Sequence, residues 1–175
     1  MRRRAALLLL LTVGVARAAP PDEPDAYRTQ DYRAETPATL KGATVLTTAQ
    51  ARALWEAKAA AFVDVLPQPP RPKNLPADVV WRPQPRADIP GSVWLPDTGY
   101  GELAAAMQDY LVAGLRKTGE RPLVFYCQRA CWMSWNAARR ALALGFKQVD
   151  WYPDGVDGWR EAGLPLEPRE AEPRP

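Results

Sequence analysis

The sequence predicts an α/β domain built on a central parallel sheet flanked by helices, and three observations predict it. Short strand-length runs alternate with amphipathic helical stretches, the pattern of βαβ units. Ala61-Phe62-Val63-Asp64-Val65-Leu66 is apolar on both faces, as a strand buried in a parallel sheet must be. Pro122-Leu123-Val124-Phe125-Tyr126 is a second such run, and it passes through a short loop directly into a helical stretch.

In chain order, Ala43 to Leu46 reads as the first strand. Thr47-Thr48-Ala49-Gln50 is a Thr-x-x-Gln capping box and opens a helix that runs to about Ala60. The Ala61 to Leu66 strand follows. Residues 67 to 96 hold nine of the nineteen prolines, so most of this segment is a shaped loop, with a short strand at Val93-Trp94-Leu95 after the Ile89-Pro90-Gly91 turn. Glu102 to Thr118 carries Leu103, Met107, Tyr110, Leu111 and Leu115 on one helical face and ends at Gly119. After the Leu123 strand, Ser134 to Leu144 is helical, with Trp135, Ala138, Ala141 and Leu142 inward and Gly145 as its stop. Val149 to Tyr152 is the last strand, and a short helix spans Gly155 to Ala162.

Met1-Arg2-Arg3-Arg4, an apolar run from Ala5 to Val15 and small residues around Ala16-Arg17-Ala18 form an export signal cleaved after Ala18. The apolar run is shorter than the roughly 20 residues that span a bilayer. Its removal takes four arginines with it and leaves 19 basic against 20 acidic residues. The basic pI therefore belongs to the leader, and nucleic acid loses its electrostatic argument. The expected division is signal peptide 1–18, N-terminal arm 19–42 lying on the domain surface, domain 43–168 and disordered tail 169–175, with the mature protein in the periplasm.

Both cysteines of the chain lie in Tyr126-Cys127-Gln128-Arg129-Ala130-Cys131-Trp132-Met133-Ser134-Trp135-Asn136, at the strand-to-helix junction. A loop so placed aims N–H groups inward and receives the positive end of the helix dipole, which lowers a thiol's pKa and favours the reactive thiolate. In an oxidising compartment two cysteines four apart are also candidates for a bridge. A five-residue ring removes only about 2 kcal/mol of unfolded-chain entropy, less than a staple closing a longer loop would. A redox or sulfur-relay pair is thus the leading reading, beside an inert disulfide and metal or cofactor ligation. Metal is disfavoured because two sulfurs in a chain without histidine fall short of four ligands.

The order of the pieces resembles the rhodanese-like superfamily. Asp64-Val65, Ile89-Pro90-Gly91 with Leu95-Pro96, the strand-Cys127-loop-helix and Gly155 to Glu167 occur in rhodanese order over about 42–168. The resemblance implies a three-layer fold and makes Cys127 the positional match to a persulfide-bearing nucleophile. The loop looks one residue longer than in sulfurtransferases, contains a second cysteine, and has Asp88 where a histidine often precedes Ile-Pro-Gly. The Cys127-x-x-x-Cys131-Trp132 signature, with Trp151-Tyr152-Pro153-Asp154-Gly155, is similar to that of the PQQ-dependent catabolism-associated CxxxCW-motif family. That resemblance implies an exported accessory to alcohol oxidation by quinoproteins, associated with pyrroloquinoline quinone and partnered by a periplasmic PQQ-dependent dehydrogenase or its transport and redox partners.

Cys127 and Cys131 are then the catalytic candidates, acting as a sulfurtransferase or thiol-disulfide oxidoreductase with Cys127 as the attacking sulfur and Cys131 resolving. Gln128, Arg129, Ala130, Trp132, Met133, Ser134 and Trp135 line the substrate or cofactor side, and Asp64 orients the loop. Trp132 could stack on a planar quinone, and Arg129 could lower the thiolate pKa. The alternative is a non-catalytic module that holds a quinone, a substrate or a dehydrogenase in the same pocket.

Overall fold

The structure is a computed structural model that describes residues 19–82 and 84–174. The export signal and its cleavage after Ala18 lie outside the described residues. Among the described residues, seven strands and four helices follow in the order β1 Thr44–Val45, α1 Thr48–Glu56, β2 Ala61–Asp64, β3 Arg86–Asp88, β4 Val93–Trp94, α2 Ala105–Arg116, β5 Leu123–Tyr126, α3 Trp132–Ala143, β6 Val149–Tyr152, α4 Gly155–Glu161 and β7 Glu167–Arg169. β1, β6, β5, β2 and β4 form, in that order, one parallel sheet, so β5 is its central strand.

Residue alternation on the central strands sorts the core into two layers. Val63, Leu123, Phe125 and Trp151 pack with Leu111 and Leu115 of α2 and with Trp135, Ala138 and Ala141 of α3. Phe62, Val124, Tyr126 and Tyr152 pack on the other face with Ala51 of α1 and with Val156 and Trp159 of α4. All four residues of β2 and of β5 are buried, as their apolar runs require. The capping box forms as its spacing predicts: Gln50 N–H donates to Thr47 Oγ1 and the Gln50 side chain accepts from the Thr47 backbone N–H.

Several details differ from the sequence reading, among them α1 ending at Glu56 rather than near Ala60 and α2 starting at Ala105 rather than Glu102. The helix after the cysteine loop begins at Trp132, two residues earlier than its apolar period suggests. Arg86–Asp88 and Glu167–Arg169 pair as a small antiparallel sheet, with Asp88 opposite Glu167. The tail expected to be disordered is ordered through residue 174: Glu172 N–H donates to the Trp94 carbonyl, Tyr110 Oη donates to the Glu172 carbonyl, and Arg174 pairs with Asp97. Pairing of β7 with β3 brings the chain back across the domain, where these partners wait.

Residues 19–42 lie along the domain, and α3 holds them. Asn136, fully buried, accepts the Arg28 N–H at 3.0 Å and donates to the Arg28 carbonyl at 2.8 Å and the Gly99 carbonyl at 2.9 Å. Trp135 Nε1 donates to the Thr39 carbonyl, and Arg139 donates to the carbonyls of Pro24 and Asp25. A Cβ on Gly101 would collide with the Arg28 carbonyl, so the arm is pressed against the α2-side loop. Asn136→Ala should cost about 2–3 kcal/mol of unfolding free energy, because buried backbone groups lose their partners. Urea denaturation measures the cost, and faster proteolysis of residues 19–42 should accompany it.

Candidate functional site

Cys127 follows the last residue of β5, and Cys131 is the N-cap of α3. The two are joined by a disulfide with Cα atoms 6.4 Å apart, inside the range such bonds accept. Cys127 is 0% exposed and Cys131 2%, so the bridge is sealed within the α2/α3 core layer. The intervening turn uses Ala130 at φ 53, a left-handed conformation that a residue with a Cβ adopts at a cost.

The loop is held at every step. The Cys127 carbonyl accepts the Val156 N–H at 3.1 Å and Arg86 Nη2 at 3.3 Å. Gly155, at φ 51, lies so close beneath it that a Cβ there would sit 2.6 Å from the same oxygen. Gln128 bridges to Gly155. The Arg129 N–H donates to the Asp157 carboxylate at 3.0 Å, and its guanidinium makes a two-pronged pair with Glu161 at 2.6 and 2.7 Å and a third bond to Asp154. These hydrogen bonds hold the Arg129 guanidinium further above its ordinary pKa and Glu161 below its own. Glu161, itself exposed, thus binds the loop, whereas the exposed Arg160 pairs with Asp157.

The remaining candidates split between core and arm. Met133 and Ser134 are buried, and Ser134 Oγ donates to the Cys131 carbonyl and accepts Trp151 Nε1 at 3.0 Å. Trp132 and Trp135 form an edge-to-face pair under the arm. The Trp132 N–H donates to the Tyr32 carbonyl at 2.9 Å, its Nε1 donates to the Glu35 carbonyl, and Arg28 lies over its ring. Trp132 is therefore not an open wall for a quinone, contrary to the sequence expectation, because the arm covers it. A planar, anionic quinone also finds no unpaired cation in the loop, since Arg129 is committed to Asp154 and Glu161. The loop does not fit such a group. Among the described residues no cluster of three or more histidine, cysteine, aspartate or glutamate side chains could hold a metal, and no helix is long and apolar enough to cross a membrane.

Asp64, expected to orient the loop, contacts partners that sequence reasoning missed. Its Oδ1 accepts the Leu66 N–H at 2.8 Å, and its Oδ2 pairs with Arg86. Arg86 Nε also lies 3.0 Å from Asp88 Oδ1, an ion contact without hydrogen-bond geometry, so both Asp88 oxygens are buried without a hydrogen bond. Two buried carboxyls facing one guanidinium leave one charge uncompensated. Burial first, and the neighbouring Asp64 charge second, push Asp88 up to about 9. Tyr126, whose hydroxyl donates to Ser92 Oγ, is pushed well above its usual range by burial and by the same carboxyls. The signal for this cluster is the i, i+2 spacing of Arg86 and Asp88, which places both on one face of a strand.

The Asp88 carboxyl stays protonated in the fold up to about pH 9, whereas its ordinary value of 3.8 governs the unfolded chain. The unfolded state then binds fewer protons, so stability falls as pH rises between these limits. The contribution is fully present below pH 4 and lost on approach to pH 9. Thermal melts from pH 5 to 9 should show this decline, and Asp88→Asn should flatten it.

A rhodanese-like domain model matches residues 47–162, well over half of the chain. No curated protein matches. Among solved structures, a Rhodopseudomonas palustris protein of unknown function is 27% identical with a TM-score of 0.44, over 71% of this chain and 85% of that one. The polysulfide-sulfur transferase of Wolinella succinogenes is 22% identical with a TM-score of 0.45, over 74% and 81%. A thiosulfate sulfurtransferase from Pseudomonas aeruginosa is 18% identical with a TM-score of 0.48, over 75% of this chain and 21% of that one. With a parallel five-stranded sheet between two helical layers and its cysteine loop at the end of the central strand, this chain belongs to the rhodanese-like domain family.

Proposed function

We propose that the protein is a thiol-disulfide relay on a rhodanese scaffold, exported to the periplasm by cleavage after Ala18 and accessory to PQQ-dependent alcohol oxidation. The observation that carries the relay is the Cys127–Cys131 bridge spanning a loop whose second cysteine is the N-cap of α3. A thiolate at that position is stabilised by the helix dipole. The setting rests on the CxxxCW resemblance, and the partner is a periplasmic dehydrogenase or one of its redox partners. PQQ enters through that partner, since the loop itself does not accept a planar anion.

Transfer of sulfane sulfur is the weaker form of the relay. A persulfide or thiosulfate needs converging loop amides, yet the Arg129 N–H is taken by Asp157 and the Trp132 N–H by Tyr32. With those amides engaged, we assign the exchanging role to Cys131 rather than Cys127. Two of the loop amides are thus closed to an anion at Cys127, and Cys131 holds the helix terminus beneath the arm. A partner thiolate attacks Cys131 Sγ, the S–S bond breaks, and the electron pair leaves on Cys127 Sγ, which takes up a proton. The partner's second thiolate then attacks its own sulfur in the mixed disulfide. Cys131 leaves as a thiolate and the partner departs as a disulfide, so two electrons have entered this protein.

Burial of both sulfurs favours a second reading, in which the bridge is static and the fold is a binding module for a dehydrogenase. Replacing both cysteines with serine separates the two, abolishing the relay while sparing binding. For the relay, Cys127→Ala leaves Cys131 as a thiol that should attack the partner in its disulfide form, releasing one partner thiolate and trapping a mixed disulfide on Cys131 detectable by intact mass, and Cys131→Ala should trap none. The opposite pattern restores Cys127 as the exchanging sulfur, and no adduct on either variant supports the static bridge.

A further inference from the structure

The bridge is sealed by a short stretch of the arm held between two clasps. On one side Asn136 grips both backbone groups of Arg28. On the other, Trp132 Nε1 holds the Glu35 carbonyl. Between them run residues 29–34, and they touch both flanks of Cys131. The Tyr32 carbonyl takes the Trp132 N–H at 2.9 Å, immediately after the cysteine. Arg33 Nη1 donates to the Arg129 carbonyl at 3.0 Å, two residues before it. Tyr32 and Ala34 pack against the core cluster that contains both cysteines. The Tyr32 ring stands edge-on to Tyr100 and its hydroxyl accepts the Gly101 N–H.

The stretch is less secure than its clasps. Asp31 sits at φ 47, in the left-handed region, and is exposed. Thr29, Gln30 and Arg33 are exposed as well, so little buried surface opposes lifting. Lifting it would uncover one backbone donor and one backbone acceptor on either side of Cys131 in the chain, over an apolar floor. An extended peptide offers such complements through its own backbone carbonyl and N–H, with an apolar side chain between.

Resting on the relay reading, we propose that residues 29–34 are a strap occupying the docking groove of the redox partner, and that the partner's occupant is an extended peptide segment carrying the attacking cysteine. The strap must lift before Cys131 can be reached. Its Tyr32 carbonyl and Arg33 side chain stand in for the partner's backbone acceptor and donor.

The test follows reduction of the full mature protein by dithiothreitol, using tryptophan fluorescence and confirming by alkylation and mass. The wild-type rate should level off at high dithiothreitol, where strap opening limits it. Arg33→Ala removes one exposed hydrogen bond and should raise the plateau about fivefold, the equivalent of about 1 kcal/mol. Tyr32→Ala combined with Arg33→Ala should raise it more than tenfold. A synthetic peptide of residues 28–36 should slow reduction of the double variant and leave the wild type unaffected. Identical, non-saturating rates in all three proteins, or no effect of the peptide, would overturn the strap while leaving the relay intact. A bridge that dithiothreitol opens in none of them would overturn both.

Discussion

The geometry of the cysteine loop depends on the carbonyl oxygen of Cys127. It accepts two donors, the Val156 N–H at the start of α4 and the Arg86 guanidinium from β3, and Gly155 lets α4 approach it. The first fixes the loop to the helix after β6. The second fixes it to the segment that follows the proline-rich loop. Arg86 in turn keeps its orientation because Asp64 and Asp88 flank it, and those two carboxyls cannot both be charged in so dry a place. A protonated Asp88 is thus part of what holds the cysteine loop in register with its neighbours.

How much of this was legible in the sequence follows from the type of interaction. Apolar runs and the capping box specify the strands, α1 and the buried junction at Cys127, because burial and periodicity are written in side chains. The arm's grip on α3 is not, since Asn136, Trp132 and Trp135 bind backbone carbonyls, which every residue carries alike. The β3 and β7 pairing escaped because each strand has three residues and Pro168 sits in the second, a residue tolerated only where no ladder donor is required. The Asp64–Arg86 contact joins residues 22 apart across a proline-rich loop, and only the i, i+2 spacing of Arg86 and Asp88 hints at it.

The loop departs from a sulfur-transfer cradle in a specific way. An anionic sulfur needs donors, but this loop is ringed by Asp154, Asp157 and Glu161, all engaged with Arg129 or its N–H. Those acidic groups neutralise the one cation of the turn and occupy an amide that would otherwise face substrate. A disulfide needs neither a cation nor a cradle. On the relay proposal it needs a leaving sulfur that tolerates negative charge, which the N-cap of α3 would supply, and a route for the attacking thiolate, which the proposed strap would control.

The central claim is that the bridge exchanges rather than staples. The most direct measurement is its reduction potential, obtained by equilibrating the mature protein with a graded dithiol-disulfide buffer and counting free thiols by alkylation and mass. An exchanging pair with a helix-stabilised thiolate should titrate above about −300 mV. A bridge that stays closed below that value is structural, and the relay account would be wrong.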